Sequence, residues 1–213
     1  MTRAAEASAR RRPARTSESD VPLAPAEPRS IRTAADDATL LRAVARGDLG
    51  SLGVLFDRHH EAVRQFVRRA STSNADVDDV VQETFLTAAR VAASFDGRTS
   101  ALPFLLGIAT RLRWRRRRSF ARLRALCDAF SNLPAPPPLD PEATVSLAEE
   151  GSLLRDAIAR LSDDQRSVLV MFEYSGLSGI EIAQALEIPV GTVWRRLHEA
   201  RAELRTALAR RAR

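Results

Sequence analysis

One segment near the C-terminus carries side chains of the kind that read DNA. Apolar residues in it recur at spacings of three and four, which predicts a helix with one buried face. The outer faces of that helix then carry Thr192, Trp194, Arg195, Arg196, His198 and Arg201. A helix of this kind fits the major groove of DNA, which is about 12 Å wide.

A second, shorter helix is predicted just before it. Ser178 and Glu181 have the spacing of a capping box, which marks a helix start. Pro189 cannot continue that helix but suits the first turn of the next one. The segment from Ser178 to Arg205 therefore predicts a helix-turn-helix. The alternative is a surface helical hairpin whose arginines only confer solubility.

A run of arginines occupies the middle of the chain, with eight of them between positions 111 and 124. On one helix these like charges repel each other, and an anionic partner relieves that cost. The run therefore favours contact with nucleic acid, where Trp114 and Phe120 could stack on unpaired bases. In the alternative, Trp114 packs in the core and the arginines are only solvated.

An acidic cluster precedes this run, formed by Asp76, Asp78, Asp79 and Glu83. Part of the cluster complements the positive end of a helix dipole. Because carboxylates repel phosphates, the remainder indicates a basic protein surface as its partner.

Residues for catalysis or metal binding are not found in a useful pattern. His59 and His60 are adjacent, so on a helix they point about 100° apart and do not readily chelate one metal. Cys127 is the single cysteine and has no evident histidine partner, and a glycine-rich phosphate loop is missing. The sequence predicts no enzyme, no metal and no cofactor.

The composition favours helices. The chain is 45% hydrophobic but only 5% aromatic, and its net charge is +6 with arginine as every basic residue other than histidine. A single cysteine excludes a disulfide framework, and no apolar run reaches the ~18 residues of a membrane span. We therefore expect a cytoplasmic protein without membrane insertion.

The elements that must position these residues form an all-α protein of two small helical domains. We expect a disordered basic tail at 1–35 and a helical domain at 36–130, whose last helix begins at about residue 102. Five prolines predict an extended linker at 131–147. A second helical domain, with the helix-turn-helix, follows at 148–213.

In this order, the motifs resemble those of a known family, the extracytoplasmic-function sigma factors of bacterial RNA polymerase, within the sigma-70 family. DVDDVVQETFL at 76–86 is similar to region 2.2, and FDGRTS at 95–100 with PFLLGIAT at 103–110 is similar to regions 2.3 and 2.4. Region 4 is resembled by LSDDQRSVL at 161–169, GLSGIEIA at 176–183 and IPVGTV at 188–193. The two domains would then be sigma region 2 and sigma region 4.

The resemblance implies a sigma factor that binds core RNA polymerase and directs promoter-specific initiation. Core polymerase would be bound by Asp76, Asp79, Gln82 and Glu83. The −10 element would be bound by Gly97, Arg98, Thr99, Ser100, Arg111, Arg115 and Arg118. The −35 element would be read by Thr192, Trp194, Arg195, Arg196, His198 and Arg201. The family also implies an anti-sigma factor as an inhibitory partner.

Several positions depart from the family pattern. Arg111 and Arg115 stand where region 2.4 usually has Asn and Asp, and Trp194 replaces a common Lys or Arg. Glu187 stands where the turn usually has Gly, and a left-handed conformation there costs about 1 kcal/mol. Two alternatives stay open: a DNA-binding regulator that uses only 148–213, and a sigma-like protein that binds polymerase without initiating.

Overall fold

The structure is a computed structural model that describes residues 35–73, 75–97, 100–130 and 156–211. Its elements, in chain order, are α1 (Asp37–Ala45), α2 (Leu49–Ala70), α3 (Val77–Arg90), a 3-10 turn (Ala92–Ser94), α4 (Leu102–Phe130), α5 (Asp163–Glu173), α6 (Gly179–Leu186) and α7 (Val190–Arg211). Residues 156–160 are also helical, and no strand occurs within the described ranges. The all-α prediction is confirmed.

Local signals in the sequence set the first two helices. Asp36 caps α1 by accepting a hydrogen bond from the backbone N–H of Thr39 at 2.6 Å. Gly47 follows α1 with φ at +93°, a left-handed conformation that favours glycine. Asp48 then caps α2 by accepting from the N–H of Gly50 at 2.9 Å. These caps fix a tight turn, so α1 and α2 pack against each other.

The N-terminal helices pack around the first half of α4. Its buried face is apolar and includes Leu105, Leu106, Ala109 and Leu112. From Arg115 to Arg122 the described side chains are exposed, apart from Arg116. At 1.5 Å per residue the 29 residues of α4 span about 44 Å. The helix therefore joins a buried half to a largely solvated, cationic half.

Two capping boxes begin the helices of the C-terminal group, as the sequence predicts. Ser162 and Gln165 form one at the start of α5, and Ser178 and Glu181 form the other at the start of α6. In each box the serine accepts from the third residue's N–H, and that residue's side chain accepts from the serine N–H. Each box satisfies two backbone amides that a helix start leaves free.

The N-terminal and C-terminal helices touch, and their buried apolar residues form one continuous cluster. The two groups approach closely at Gly107 in α4. A Cβ placed on Gly107 would lie 2.2 Å from the carbonyl oxygen of Ala185 in α6. Only glycine allows two helix backbones to approach so closely at this point.

Some predictions fall on residues outside the described ranges. These are the tail at 1–34, the proline-rich linker at 131–147 and residues 148–155, which follow the linker. The division at residues 130 and 148 therefore stays a prediction. Within the described residues, no helix is both long and apolar enough to cross a membrane. Among the same residues, no group of three or more His, Cys, Asp or Glu side chains is placed to hold a metal ion.

Candidate nucleic-acid and protein interfaces

The helix-turn-helix is formed by α6 and α7, with Glu187 at the end of α6. Glu187 has φ 57° and ψ 44°, the left-handed conformation, and its N–H donates to the carbonyls of Ala183 and Gln184. Among non-glycine residues of the described chain it alone has a positive φ. The strain expected from Glu in place of Gly is therefore present in this turn.

Three of the predicted DNA-reading side chains are exposed on the first turns of α7: Trp194, Arg195 and His198. Trp194 is 48% exposed, and the inner side of its ring packs on residues of α5 and α6. Its ring meets that of Phe172 edge-on, with the centroids 5.7 Å apart, and it lies where a Cβ on Gly179 would come within 2.6 Å. The indole is therefore a fixed apolar surface on the outer face of the helix.

The other arginines of this set are tied to α5. Arg196 forms an ion pair with Asp164, and its side chain is only 18% exposed. Arg201 donates to Glu173 at 2.6 Å, and its guanidinium lies 5.4 Å from the centre of the Phe172 ring. Thr192 is half-buried. Arg196 and Arg201 thus brace α7 on α5, whereas Arg195 donates to Glu199 of its own helix at 3.3 Å.

Three carboxylates at the start of α3 and the amide of Gln82 form one surface, called here the acidic surface: Asp76, Asp79, Gln82 and Glu83. Asp79 and Gln82 are exposed, and Asp76 and Glu83 are half-buried. Arg116 of α4 reaches into this surface, 2.9 Å from Glu83, 3.7 Å from Asp79 and 4.0 Å from Asp76. One arginine offsets only part of three carboxylates, so the surface keeps a negative charge.

The predicted −10 residues separate into a loop and a helix face. Gly97 is exposed with φ at +80°, and Ser100 accepts from the N–H of Leu102 at 3.2 Å. Arg98 and Thr99 lie outside the described residues. On α4, Arg115 and Arg118 are exposed.

Arg111 contacts the C-terminal helices and is only partly exposed to solvent. It donates to the carbonyl of Ala185 at 3.2 Å and to Glu187 at 3.1 Å. Its side chain is still 41% exposed. Two positions that depart from the family pattern, Arg111 and Glu187, are therefore in direct contact with each other.

Sequence reasoning missed two buried arginines. Arg113 is only 8% exposed and donates to the carbonyl of Ala70, to Ser71 at 3.0 Å and to Ser167 at 3.3 Å. Burial lowers the pKa of Arg113 to about 10, so the group is still charged at neutral pH. Arg113 therefore cannot reach nucleic acid in this arrangement, although the arginine run predicts that contact for all its members. A signal existed: Arg113 follows Ala109 by four residues, on the apolar face of α4.

The second buried arginine is Arg166, at 1% exposure. It donates to the carbonyls of Ile158, Ala159 and Leu161, and also to that of Ala70 at 3.3 Å. Burial lowers its pKa too. Arg113 and Arg166 thus converge on the last carbonyl of α2, where the negative end of the helix dipole favours a cation. Together they bind the two helical groups to each other.

Comparison with known proteins gives consistent matches. The family model for sigma-70 region 2 matches residues 55–122, and that for sigma-70 region 4 matches residues 152–204. The chain is 31% identical over 181 residues to the RNA polymerase sigma factor NccH of Alcaligenes xylosoxydans xylosoxydans, covering 81% of this chain and 94% of NccH. It is 31% identical over 177 residues to the ECF sigma factor SigW of Bacillus subtilis (strain 168), covering 79% and 94%.

Solved structures agree in fold. The structure of CnrH in complex with the cytosolic domain of CnrY matches with a TM-score of 0.56 and 26% identity, covering 81% of this chain and 97% of that one. The sigma factor RpoE, solved with the anti-sigma factor NepR from Bartonella quintana, also has a TM-score of 0.56, at 24% identity over 72% of this chain and 94% of that one.

Proposed function

The chain belongs to the sigma-70 family of bacterial RNA polymerase sigma factors, in its extracytoplasmic-function group, and we propose that three separate surfaces divide the work of promoter-specific initiation among them. The observation that carries this division is the separation of charge. Carboxylates gather at the start of α3, whereas α4 and α7, like the end of α2, expose arginines. A protein partner and DNA can then bind at the same time.

The −35 element is read by the N-terminal half of α7. Trp194, Arg195 and His198 are exposed there, and Arg196 and Arg201 hold the helix against α5. A guanidinium and an imidazole can donate to base edges or phosphates, and the indole offers an apolar contact for a thymine methyl group. Thr192 completes this set at the start of the helix.

The −10 element is bound by the loop Gly97–Ser100 and by Arg111, Arg115 and Arg118 of α4. The exposed guanidinium groups of Arg115 and Arg118 provide the positive charge that tracks a melted strand. Arg111 joins this set only after it leaves Ala185 and Glu187, since it cannot hold both partners and DNA. Promoter binding is therefore coupled to separation of α4 from α6.

Core polymerase is bound by the acidic surface of α3. A basic partner surface gains from the uncompensated carboxylates of Asp76, Asp79 and Glu83, and Gln82 can donate or accept beside them. Arg116 competes for the same carboxylates, so binding replaces one intramolecular ion pair by intermolecular ones.

The finer features follow from the family. Region 2 extends over 36–130 and region 4 over 148–213, joined by the linker at 131–147 and preceded by the tail at 1–35. The chain is an initiation factor that acts without a catalytic site of its own, in the cytoplasm where polymerase works. An anti-sigma factor is its inhibitory partner, a proposal supported by the structure of RpoE in complex with the anti-sigma factor NepR from Bartonella quintana.

Matched charge reversals test the polymerase surface. Asp79→Arg/Glu83→Arg reverses two charges one turn apart on α3, and Asp57→Arg/Glu61→Arg makes the same change on α2. Titration of labelled core polymerase should show a loss of at least about tenfold in affinity for the first pair alone. Equal affinities of the two double variants would contradict the proposal.

Promoter fragments test the DNA surface. Arg195→Ala removes an exposed guanidinium from the reading half of α7, and Arg205→Ala removes one about 15 Å further along the same helix. We measure the affinity of the holoenzyme for a −35 fragment. If Arg195 contacts a base, Arg195→Ala should cost about 1–3 kcal/mol of binding free energy; if it contacts a phosphate, the slope of affinity against salt should fall by about one. The proposal fails if Arg205→Ala has the larger effect.

A further inference from the structure

Asp37, in the first turn of α1, is a buried carboxylate with partners in three segments of the chain. It is only 4% exposed. One oxygen lies 2.8 Å from Nε2 of His59 and accepts from the backbone N–H of Ala101 at 2.7 Å. The other oxygen accepts from Arg58. Asp37 therefore connects α1, α2 and the residue that precedes α4.

The contact with Ala101 fixes where the loop ends. Ala101 has no exposed surface and directly follows Ser100, the last residue of the loop proposed to bind the −10 element. Its N–H is one of the backbone donors at the start of α4 that have no partner within the helix, and the helix dipole favours an anion there. A charge-assisted hydrogen bond is directional, so it restrains this residue more closely than an apolar contact does.

The other end of the loop is held by ring packing. Phe95 meets Phe104 edge-on, with the ring centroids 5.4 Å apart. One end of the loop is thus held by apolar contact with α4 and the other by the carboxylate of Asp37. Between the two, Gly97 provides the left-handed turn.

We infer that Asp37 is a positioning residue for promoter opening, which acts through Ala101 to fix Ser100 and the start of α4 where they meet the melted −10 strand. Asp37 itself touches no DNA, because its side chain is buried. It also lies upstream of residues 55–122, the part of the chain that matches region 2. The inference rests on the −10 role proposed above for this loop.

The geometry also predicts how each replacement behaves. Asp37→Ala removes the carboxylate that accepts from Ala101 and Arg58 and pairs with His59, while Arg58 keeps its bond to the carbonyl of Ala35. Asp37→Asn keeps one carbonyl oxygen that can accept from Ala101, and so should keep part of the restraint. Leu41→Ala removes a core side chain of the same helix, 1% exposed, that has no atom able to accept a hydrogen bond from Ala101. Leu41→Ala is therefore the matched control for lost stability.

The experiment measures opening separately from binding. Each full-length variant is combined with core polymerase at saturation, at a temperature where circular dichroism shows all of them folded. Fluorescence of 2-aminopurine in the −10 element reports the opening rate, and filter binding of the same promoter reports the first complex. Asp37→Ala should open the promoter about tenfold more slowly than Leu41→Ala, with binding of the first complex unchanged. Asp37→Asn should fall between them.

Equal opening rates for Asp37→Ala and Leu41→Ala would overturn the inference. If Asp37→Ala does not fold, Asp37→Asn replaces it, and a rate equal to that of Leu41→Ala overturns the inference in the same way. A fourth variant, Gly97→Val, strains the loop itself, since φ there is +80° while a Cβ meets nothing within 4 Å. If Gly97→Val opens promoters normally, the proposed role of the loop has failed; if only Gly97→Val is slow, the positioning role of Asp37 has failed.

Discussion

Gly107 sets how closely the two groups of helices approach, so replacing it should separate them. In Gly107→Ala the new Cβ would lie 2.2 Å from the oxygen, 3.0 Å from the carbon and 3.4 Å from the Cα of Ala185, all backbone atoms that cannot rotate away. The helices must retreat by about 0.8 Å before the closest contact reaches even 3.0 Å. Such overpacking costs about 1–3 kcal/mol.

The same retreat weakens the bonds made by Arg111. Its hydrogen bond to Ala185 is 3.2 Å long, so a shift of this size lengthens it beyond bonding distance. Because Arg111 is 41% exposed and Glu187 77% exposed, their ion pair adds little, and the two contacts of Arg111 together contribute about 1 kcal/mol. A double-mutant cycle of Gly107→Ala with Arg111→Ala should therefore give a coupling of about 1 kcal/mol.

The assay combines urea unfolding of the four proteins of the cycle with small-angle X-ray scattering. Gly53→Ala is the control, since Gly53 lies within α2 and a Cβ there meets nothing within 4 Å. Ala in place of Gly within a helix should stabilise that variant by about 1 kcal/mol without changing its dimensions. Gly107→Ala should instead increase the radius of gyration and keep its helical content. Scattering curves that superpose for both variants, with no coupling to Arg111, would refute the close approach of α4 and α6.

Three further perturbations have outcomes fixed by particular residues. Glu187→Gly relieves left-handed strain of about 1–2 kcal/mol, but the freer unfolded chain costs about 0.4–1 kcal/mol. Urea unfolding should therefore show a net gain in stability of about 0.5–1 kcal/mol. Glu187→Gln, which keeps the strain, should show no gain. Burial opposes ionisation of Asp37, but hydrogen bonds from His59, Ala101 and Arg58 outweigh it and lower the pKa from 3.8 to about 2. Stability from Asp37, about 2 kcal/mol, should thus be present above pH 3.8 and disappear as the pH falls to about 2, and acid unfolding of Asp37→Asn should lack this component. Trp194→Arg replaces the apolar surface over Phe172 and Gly179 by a cation, so selection from randomised −35 sequences should return a different preference; an unchanged preference would exclude Trp194 from base reading.

Local signals explain why much of the fold follows from the sequence. The serines at 162 and 178 are each followed three residues later by Gln or Glu, and each pair forms the capping box that this spacing predicts. A periodic apolar face likewise gives α4 its start at Leu102, close to the predicted residue. Interactions of this kind involve neighbours on one helix, so the residue types alone encode them.

Contacts between distant segments could not be predicted in this way. Arg113 and Arg166 both donate to the carbonyl of Ala70, 43 and 96 residues away, and a backbone carbonyl has no residue type to recognise. Asp37 likewise accepts from a backbone N–H 64 residues further along the chain. The sequence indicated cations and anions correctly but could not distinguish those that face solvent from those that bind the two groups of helices together.

Run-off transcription tests the central claim most directly, because it requires polymerase binding, promoter recognition and opening in one reaction. Purified protein is combined with bacterial core polymerase and a library of upstream regions, beside the Asp79→Arg/Glu83→Arg and Asp57→Arg/Glu61→Arg variants. The account predicts discrete transcripts that depend on the added protein, disappear with the first double variant and persist with the second. Binding to core polymerase without any transcript from the library, or transcripts that survive the loss of the acidic surface, would contradict it.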